Sequence, residues 1–151
     1  MKPTPKGWPR ISSSVFYENA SAAIEWLCKA FGFEVRLKVE EDGHIVHSEL
    51  TFGDGLVMIG TAGAHSPEKA AYQKDFASPK ALGGRTTQTL AIFVDDVDAH
   101  CARARASGAE IIREPRTEDY GAEYWADRSY GATDPEGHLW WFMQRVRDKN
   151  S

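Results

Sequence analysis

Apolar and small residues recur early in the chain at Ala20, Ala23, Ile24, Leu27, Cys28 and Phe31, the spacing of one helical face. Asn19 stands where an N-cap belongs and Gly32 where a helix stops, so a helix is predicted between them. The period then changes to two. From Glu34 to Glu40 charged and apolar residues alternate strictly, which predicts a half-buried strand at a sheet edge. Asp42-Gly43 turns the chain into a second strand, His44 to Phe52, and Asp54-Gly55 turns it again into a short strand buried on both faces, Leu56 to Ile59. Ile11 to Tyr17, before the helix, is compatible with a strand. The unit is strand–helix–strand–strand–strand.

The same order returns further on. Thr87 to Val94 reads as a strand, with Asp95 or Asp96 as the cap of a helix whose buried face carries Val97, Cys101 and Ala104 and which stops at Gly108. Glu110 to Arg113 is predicted as a strand, Tyr124 to Thr133 as a longer one, Asp134 to Gly137 as a turn, and His138 to Gln144 as the last strand. The second copy is longer by an insertion around Thr117 to Glu123. The expected organisation is one α+β domain: a tail (1–10), a first βαβββ module (10–60), a loop (61–85), a second βαβββ module (86–145) and a C-terminal tail (146–151). The loop, Thr61 to Arg85, is rich in Gly, Ala, Ser, Pro and Lys. It reads equally as a surface linker or as a flap over a ligand site.

Composition narrows the function classes. Of the 151 residues, 42% are apolar and 26% charged, the balance of a folded globular chain. No run approaches the roughly 18 apolar residues of a membrane span, and none resembles a signal-peptide core, so a cytoplasmic address without membrane contact is expected. A formal charge of −4 argues against nucleic acid as a partner. Cys28 and Cys101 stand apart in helical segments and read as packing residues, not as a metal or redox pair. Ser66-x-x-Lys69 copies the nucleophile spacing of penicillin-binding proteins but lacks their partner motifs.

Three stretches carry a family resemblance. Tyr17-Glu18-Asn19-Ala20, Ala23-Ile24-Glu25-Trp26-Leu27 and Phe31-Gly32-Phe33-Glu34 together resemble the first module of the vicinal oxygen chelate superfamily. Phe93-Val94-Asp95-Asp96-Val97-Asp98 with Gly108-Ala109-Glu110 resembles the second, and Asp134-Pro135-Glu136-Gly137-His138-Leu139-Trp140 its terminal hairpin. That superfamily includes glyoxalase I, bleomycin-resistance proteins, fosfomycin-resistance enzymes and extradiol dioxygenases. The resemblance implies paired βαβββ modules whose curved sheets surround a cleft, usually in a homodimer. It does not imply one chemistry, because a fold hosts many.

In the metal-dependent members, His, Gln or Glu on the first and last strands of the modules hold the ion. The matching positions here are Ser12, Ile59, Thr89 and Trp141. A one-residue slip offers Ser13, Met58, Gln88 or Leu90, and Trp140 or Phe142, which is no better a donor set. The resemblance is therefore to the bleomycin-resistance-like branch, without the usual metal ligands and without another cofactor. The remaining polar pair is His47 and Glu49, two apart on one strand face and about 6.5–7 Å along it. It reads as a general base, as an atypical divalent-metal pair, or as a hydrogen-bonded pair that shapes a pocket. Strand alternation also directs Ser12, Ser14 and Phe16, Thr87, Thr89 and Phe93, and Leu139, Trp141 and Met143 towards the cleft, an aromatic wall with a few hydroxyls that suits a small molecule. Arg128 and Tyr130 on the seventh strand are candidates for binding an anionic group, against the alternative that Arg128 pairs with a nearby acid.

Two functions follow as expectations. One is a metal-free protein that binds a small molecule, for example an antibiotic. The other is a superfamily lyase or isomerase working through His47 and Glu49. A third, a partner-binding module, would use the segment Thr61 to Arg85.

Overall fold

The computed structural model describes residues 1–149. It contains eight strands and three α-helices in the order β1 (Ser13–Tyr17), α1 (Ala20–Phe31), β2 (Glu34–Glu41), β3 (His44–Phe52), β4 (Gly55–Thr61), α2 (Ala70–Gln73), β5 (Thr89–Phe93), α3 (Val97–Ala106), β6 (Glu110–Asp119), β7 (Ala126–Thr133) and β8 (Leu139–Arg147). The strands form two four-stranded mixed sheets, β1-β4-β3-β2 and β5-β8-β7-β6, in which the first strand of each module runs parallel to the last. The duplicated unit read from the periodicity is therefore the repeated topology of the fold.

The two long helices, α1 and α3, begin as their sequence dictates. The Asn19 side chain accepts from Ala22 N, and Gly32 ends α1 in the left-handed conformation. Asp96, the second of the two candidates, caps α3 through Ala99 N. The faces of the sheets then follow from register. In the first sheet Val15, Tyr17, Leu50, Val57 and Ile59 face the helices and are buried; in the second, Leu90, Tyr130, Ala132, Trp140 and Phe142 do the same. The opposite faces stay open and carry Ser14, Phe16, Glu49 and Met58 in one sheet and Thr89, Ala91, Phe93, Trp141 and Met143 in the other.

The two modules share one core within a single chain. Phe31 of α1 packs its ring against Trp140 and Phe142 of the second sheet. Between the helices, Trp26 Nε1 donates to Ser107 O at 2.8 Å, and Arg103 donates to the carbonyls of Cys28 and Lys29 at the end of α1. Asp134 in the β7–β8 turn accepts from Tyr17 OH at 2.6 Å and from Trp140 Nε1 at 2.9 Å. Glu136 accepts from the backbone N–H groups of Glu18 and Asn19, so the second module helps to cap the helix of the first.

Two expectations need correction. β2 is an edge strand, but all eight of its residues are exposed, including Val35, Leu37 and Val39. Leu37 pairs with Glu49 and Val39 with His47, so this apolar row lies on the open face, where no helix covers it. The insertion at Thr117 to Glu123 is in large part a longer hairpin: Arg116 to Asp119 pair with Ser129 to Ala126. The segment Thr61 to Arg85 contains α2 and a 3-10 turn at Pro79–Leu82. It lies over the first sheet, where Phe76 stacks on Phe16 at 4.3 Å. Among the described residues no helix is long and apolar enough to cross a membrane. Cys101 is buried and Cys28 half-buried, and burial raises both thiol pKa values, as suits packing residues.

Candidate functional site

The open face of the first sheet is organised by β3. Alternation places His47 and Glu49 on it together, and His47 Nε2 lies 2.9 Å from Glu49 Oε1. The other carboxylate oxygen, Oε2, accepts from Arg36 Nε at 2.7 Å. Glu49 is only 7% exposed, yet the hydrogen bond from His47, aided by Arg36, holds its carboxyl below the usual range against the opposing effect of burial. His47 keeps 39% of its side chain exposed, and its Nδ1 has no hydrogen-bond partner among the described residues.

Arg36 was invisible as a site residue in the sequence. It belongs to the charged row of β2, which simple alternation sends to the other face. A register irregularity between Val35 and Leu37 turns it towards Glu49. Behind it, the N-terminal segment contributes the Gly7 carbonyl, which accepts from Arg36 Nη1, and the Trp8 ring, 4.9 Å from the guanidinium. The result is a chain of contacts from the N-terminal segment through Arg36 and Glu49 to His47.

The open face of the second sheet is aromatic and arginine-rich. Trp141 lies flat across Gly131, where a Cβ would come within 2.6 Å of its ring, and the Arg113 guanidinium sits 4.8 Å from that ring. Arg145 lies near both Phe93 and Trp125 and is paired with Asp127 at 2.5 Å. Phe93, Tyr120, Tyr124 and Trp125 are exposed. These arginines carry acidic partners, so the face offers stacking and hydrogen bonds rather than a strong anion trap.

Between the two sheets runs a cleft of about 650 Å³. Ser12, Thr89 and Phe93 from the predicted set line it, joined by Phe33, Phe52, Asp54 and Gln88, which the periodicity did not single out. Gln88 spans the sheets, with its Oε1 3.2 Å from Ser13 Oγ and its Nε2 donating to Ser14 O. Ser14 and Phe16 line a smaller hollow beside Phe76 and His138. Ser12, Ser14, Phe16, Thr89, Phe93 and Trp141 are thus distributed over the open faces and the cleft, as alternation indicates.

Arg128 and Tyr130 are not there. They share the helix-facing side of β7 with Ala132. Tyr130 is fully buried, and its hydroxyl lies 2.7 Å from His100 Nδ1 in the core. Arg128 makes a two-pronged pair with Asp98 at the start of α3, so neither side chain reaches a cleft ligand. The parity of β7 relative to β8 decides this, and the sequence of one strand does not reveal which of its faces meets the helix.

The donor set does not fit a divalent ion. On β4 the open-face position is Met58, a soft thioether, because Ile59 belongs to the helix-facing core, and Trp141 on β8 has no lone-pair donor. Two of the four superfamily metal positions therefore offer no ligand suited to a hard divalent ion. At His47 and Glu49, the Arg36 cation already compensates the carboxylate and occupies its second oxygen. Among the described residues no group of three or more His, Cys, Asp or Glu is placed to hold a metal.

Comparison with known proteins agrees with this architecture. A family model described as the Glyoxalase/Bleomycin resistance protein/Dioxygenase superfamily matches residues 11–142. An uncharacterized protein of Mycobacterium tuberculosis is 32% identical over 143 residues, covering 94% of this chain and 78% of its own. Among solved structures, TioX from Micromonospora sp. ML1 is similar at 30% identity and a TM-score of 0.67, over 92% of this chain and 100% of its own. The fosfomycin resistance protein FosX from Listeria monocytogenes, crystallised with Mn(II) and dihydroxypropylphosphonic acid, is similar in fold. Its identity is 14% and its TM-score 0.56, over 87% of this chain and 85% of its own.

Proposed function

From the premise that the chain belongs to the glyoxalase/bleomycin resistance protein/dioxygenase superfamily, we propose that it is a metal-free binder of small molecules that works as a homodimer, in the manner of bleomycin-resistance proteins. The carrying observation is the combination of an aromatic open face, with Trp141, Phe93 and Trp125 exposed to different degrees, and a donor set that does not fit a metal. Such a surface binds through stacking and desolvation, and its hydroxyls and ion pairs orient the ligand. The exposed apolar row of Leu37 and Val39 supports a homodimer, because a second copy would take these side chains out of water. An antibiotic with planar aromatic groups suits the open face of the second sheet. Native mass spectrometry of the purified protein tests the reading: a dimer without stoichiometric metal that retains or takes up an aromatic ligand is expected. One bound divalent ion per chain, with folding or activity lost to a chelator, would overturn it.

One observation favours a second reading. Glu49 holds His47 through Nε2; in the neutral tautomer that carries its proton there, Nδ1 is left as an acceptor on the open face, the arrangement of an oriented general base. A lyase or isomerase of the superfamily would use it so, without metal. Replacing His47 and Glu49 by Ala then abolishes turnover in a folded protein; unchanged turnover dismisses the enzyme.

A further inference from the structure

The sheet edges are guarded unequally. β2 carries charges along its length and two register irregularities, and β6 carries charges, Pro115 and two irregularities. These devices prevent an edge from pairing with another chain. β1 and β5, at the opposite edges, have none of them. The β1 edge is met by Gln88, whose Nε2 donates to Ser14 O, while β5, Thr89-Leu90-Ala91-Ile92-Phe93, is uncharged, without proline, and in continuous register with β8.

Its free backbone groups can be assigned. In a parallel pair, alternate residues turn both N–H and C=O towards the neighbouring strand. Val94 N donates to Met143 O, so Leu90 and Ile92 face β8, while Thr89, Ala91 and Phe93 turn their backbone groups away from it. Among the described residues those groups have no partner. They open into the cleft of about 650 Å³ between the sheets. Its far wall includes Ile11, Phe33, Phe52 and Leu56, and Asp54 is the one charged residue among its described lining. Ser12 Oγ, in the same wall, is buried without a partner among the described residues.

We propose that this cleft binds a short peptidic ligand in extended form, which adds a strand to the free edge of β5 and sets a cationic group, such as a free N-terminal amine, on Asp54. The proposal rests on the small-molecule-binding reading and narrows its ligand class. Donors and acceptors repeating every second residue along a straight edge are matched by another extended backbone. The edge spans about 13 Å, room for about four residues. The apolar wall takes alternate side chains of the ligand, and the single carboxylate fixes its direction.

The test is titration of the full-length protein with Val-Thr-Val-Val bearing a free amine, followed by calorimetry and by the amide resonances of β5. Binding should shift the amides of Thr89, Ala91 and Phe93, and backbone N-methylation of the peptide should weaken it by about tenfold or more. Ala91→Pro removes a free-edge N–H at a position where a strand tolerates proline, and should weaken binding by about tenfold. Asp54→Asn, in an exposed turn, should weaken the free-amine peptide several-fold and leave its N-acetylated form unchanged. Equal binding of the methylated and unmethylated peptides overturns the proposal, as does the absence of β5 shifts. A dimer that Ala91→Pro splits, with no peptide shifts in the parent, overturns it in favour of a second copy on this edge. An aromatic ligand that quenches Trp141 without moving the β5 amides sinks the peptide and leaves the binding function standing. Stoichiometric metal sinks the metal-free function and leaves the β5 shifts to decide on the peptide.

Discussion

The two modules repeat one topology with the bulk placed on opposite partners. In the first, the helix is heavy: α1 buries Ile24, Leu27 and Phe31, the last reaching across to Trp140 and Phe142, while its own sheet supplies the mostly aliphatic row Val15, Leu50, Val57 and Ile59. In the second, the helix is light: α3 buries Val97, Cys101 and Ala104, and the sheet supplies Tyr130, Trp140 and Phe142. Close packing constrains the summed volume between a helix and a sheet, not the size of either contribution. Duplicated units can therefore diverge residue by residue while keeping their layers. The open faces, free of that constraint, have diverged further: one carries Arg36, Glu49 and His47, the other Trp141, Phe93, Arg113 and Arg145.

The comparison predicts unequal costs. Trp140→Ala in the aromatic row should destabilise the protein by about 3–5 kcal/mol, whereas Ile59→Val in the aliphatic row should cost about 0.5–1.5 kcal/mol. Chemical denaturation checks both, and equal losses would break the assignment of bulk to the second sheet. Next in size is Gly131→Ala. Its Cβ would lie 2.6 Å from the Trp141 ring, so the indole must leave its seat, at about 1–3 kcal/mol and with a changed tryptophan emission. The corresponding open-face variant in the first module, His47→Ala, should leave that emission alone.

A smaller effect should appear with pH at the helix–helix seam. Burial, partly offset by the bond to Phe31 O, lowers the pKa of His100 from its ordinary 6.5. The unfolded chain then binds this proton more readily than the folded one. Stability from His100 is fully present above pH 6.5 and is lost as the pH falls towards the lowered native value. Thermal melts should decline over that interval, and His100→Gln should flatten the decline; an unaltered slope would remove His100 as its source. The smallest effect belongs to Arg128→Ala. Its pair with Asp98 is largely solvated, so little or no loss of stability and an unchanged ligand affinity are expected. A collapse of binding in that variant would return Arg128 to the cleft.

Local pattern revealed much of this molecule. The period of α1, its Asn19 cap and Gly32 stop, and the alternation of β3 that puts His47 beside Glu49 are properties of short stretches, readable wherever backbone geometry sets the spacing. The placement of Ser14, Phe16, Thr89, Phe93 and Trp141 on open faces followed from the same alternation. Alternation assigns residues to two faces but does not say which one a helix covers. Leu37 and Val39 were therefore expected inside and lie outside, and Tyr130 was expected in the cleft and lies in the core.

The amino-acid sequence alone determined the repeated βαβββ order and the residue types from which a site could be built. Tertiary structure decided the rest: the turn of Arg36 onto Glu49, the meeting of Tyr17 with Asp134, and the cleft between β5 and the first sheet. Each joins groups whose approach depends on register and packing across the whole chain, for which no short stretch holds the information.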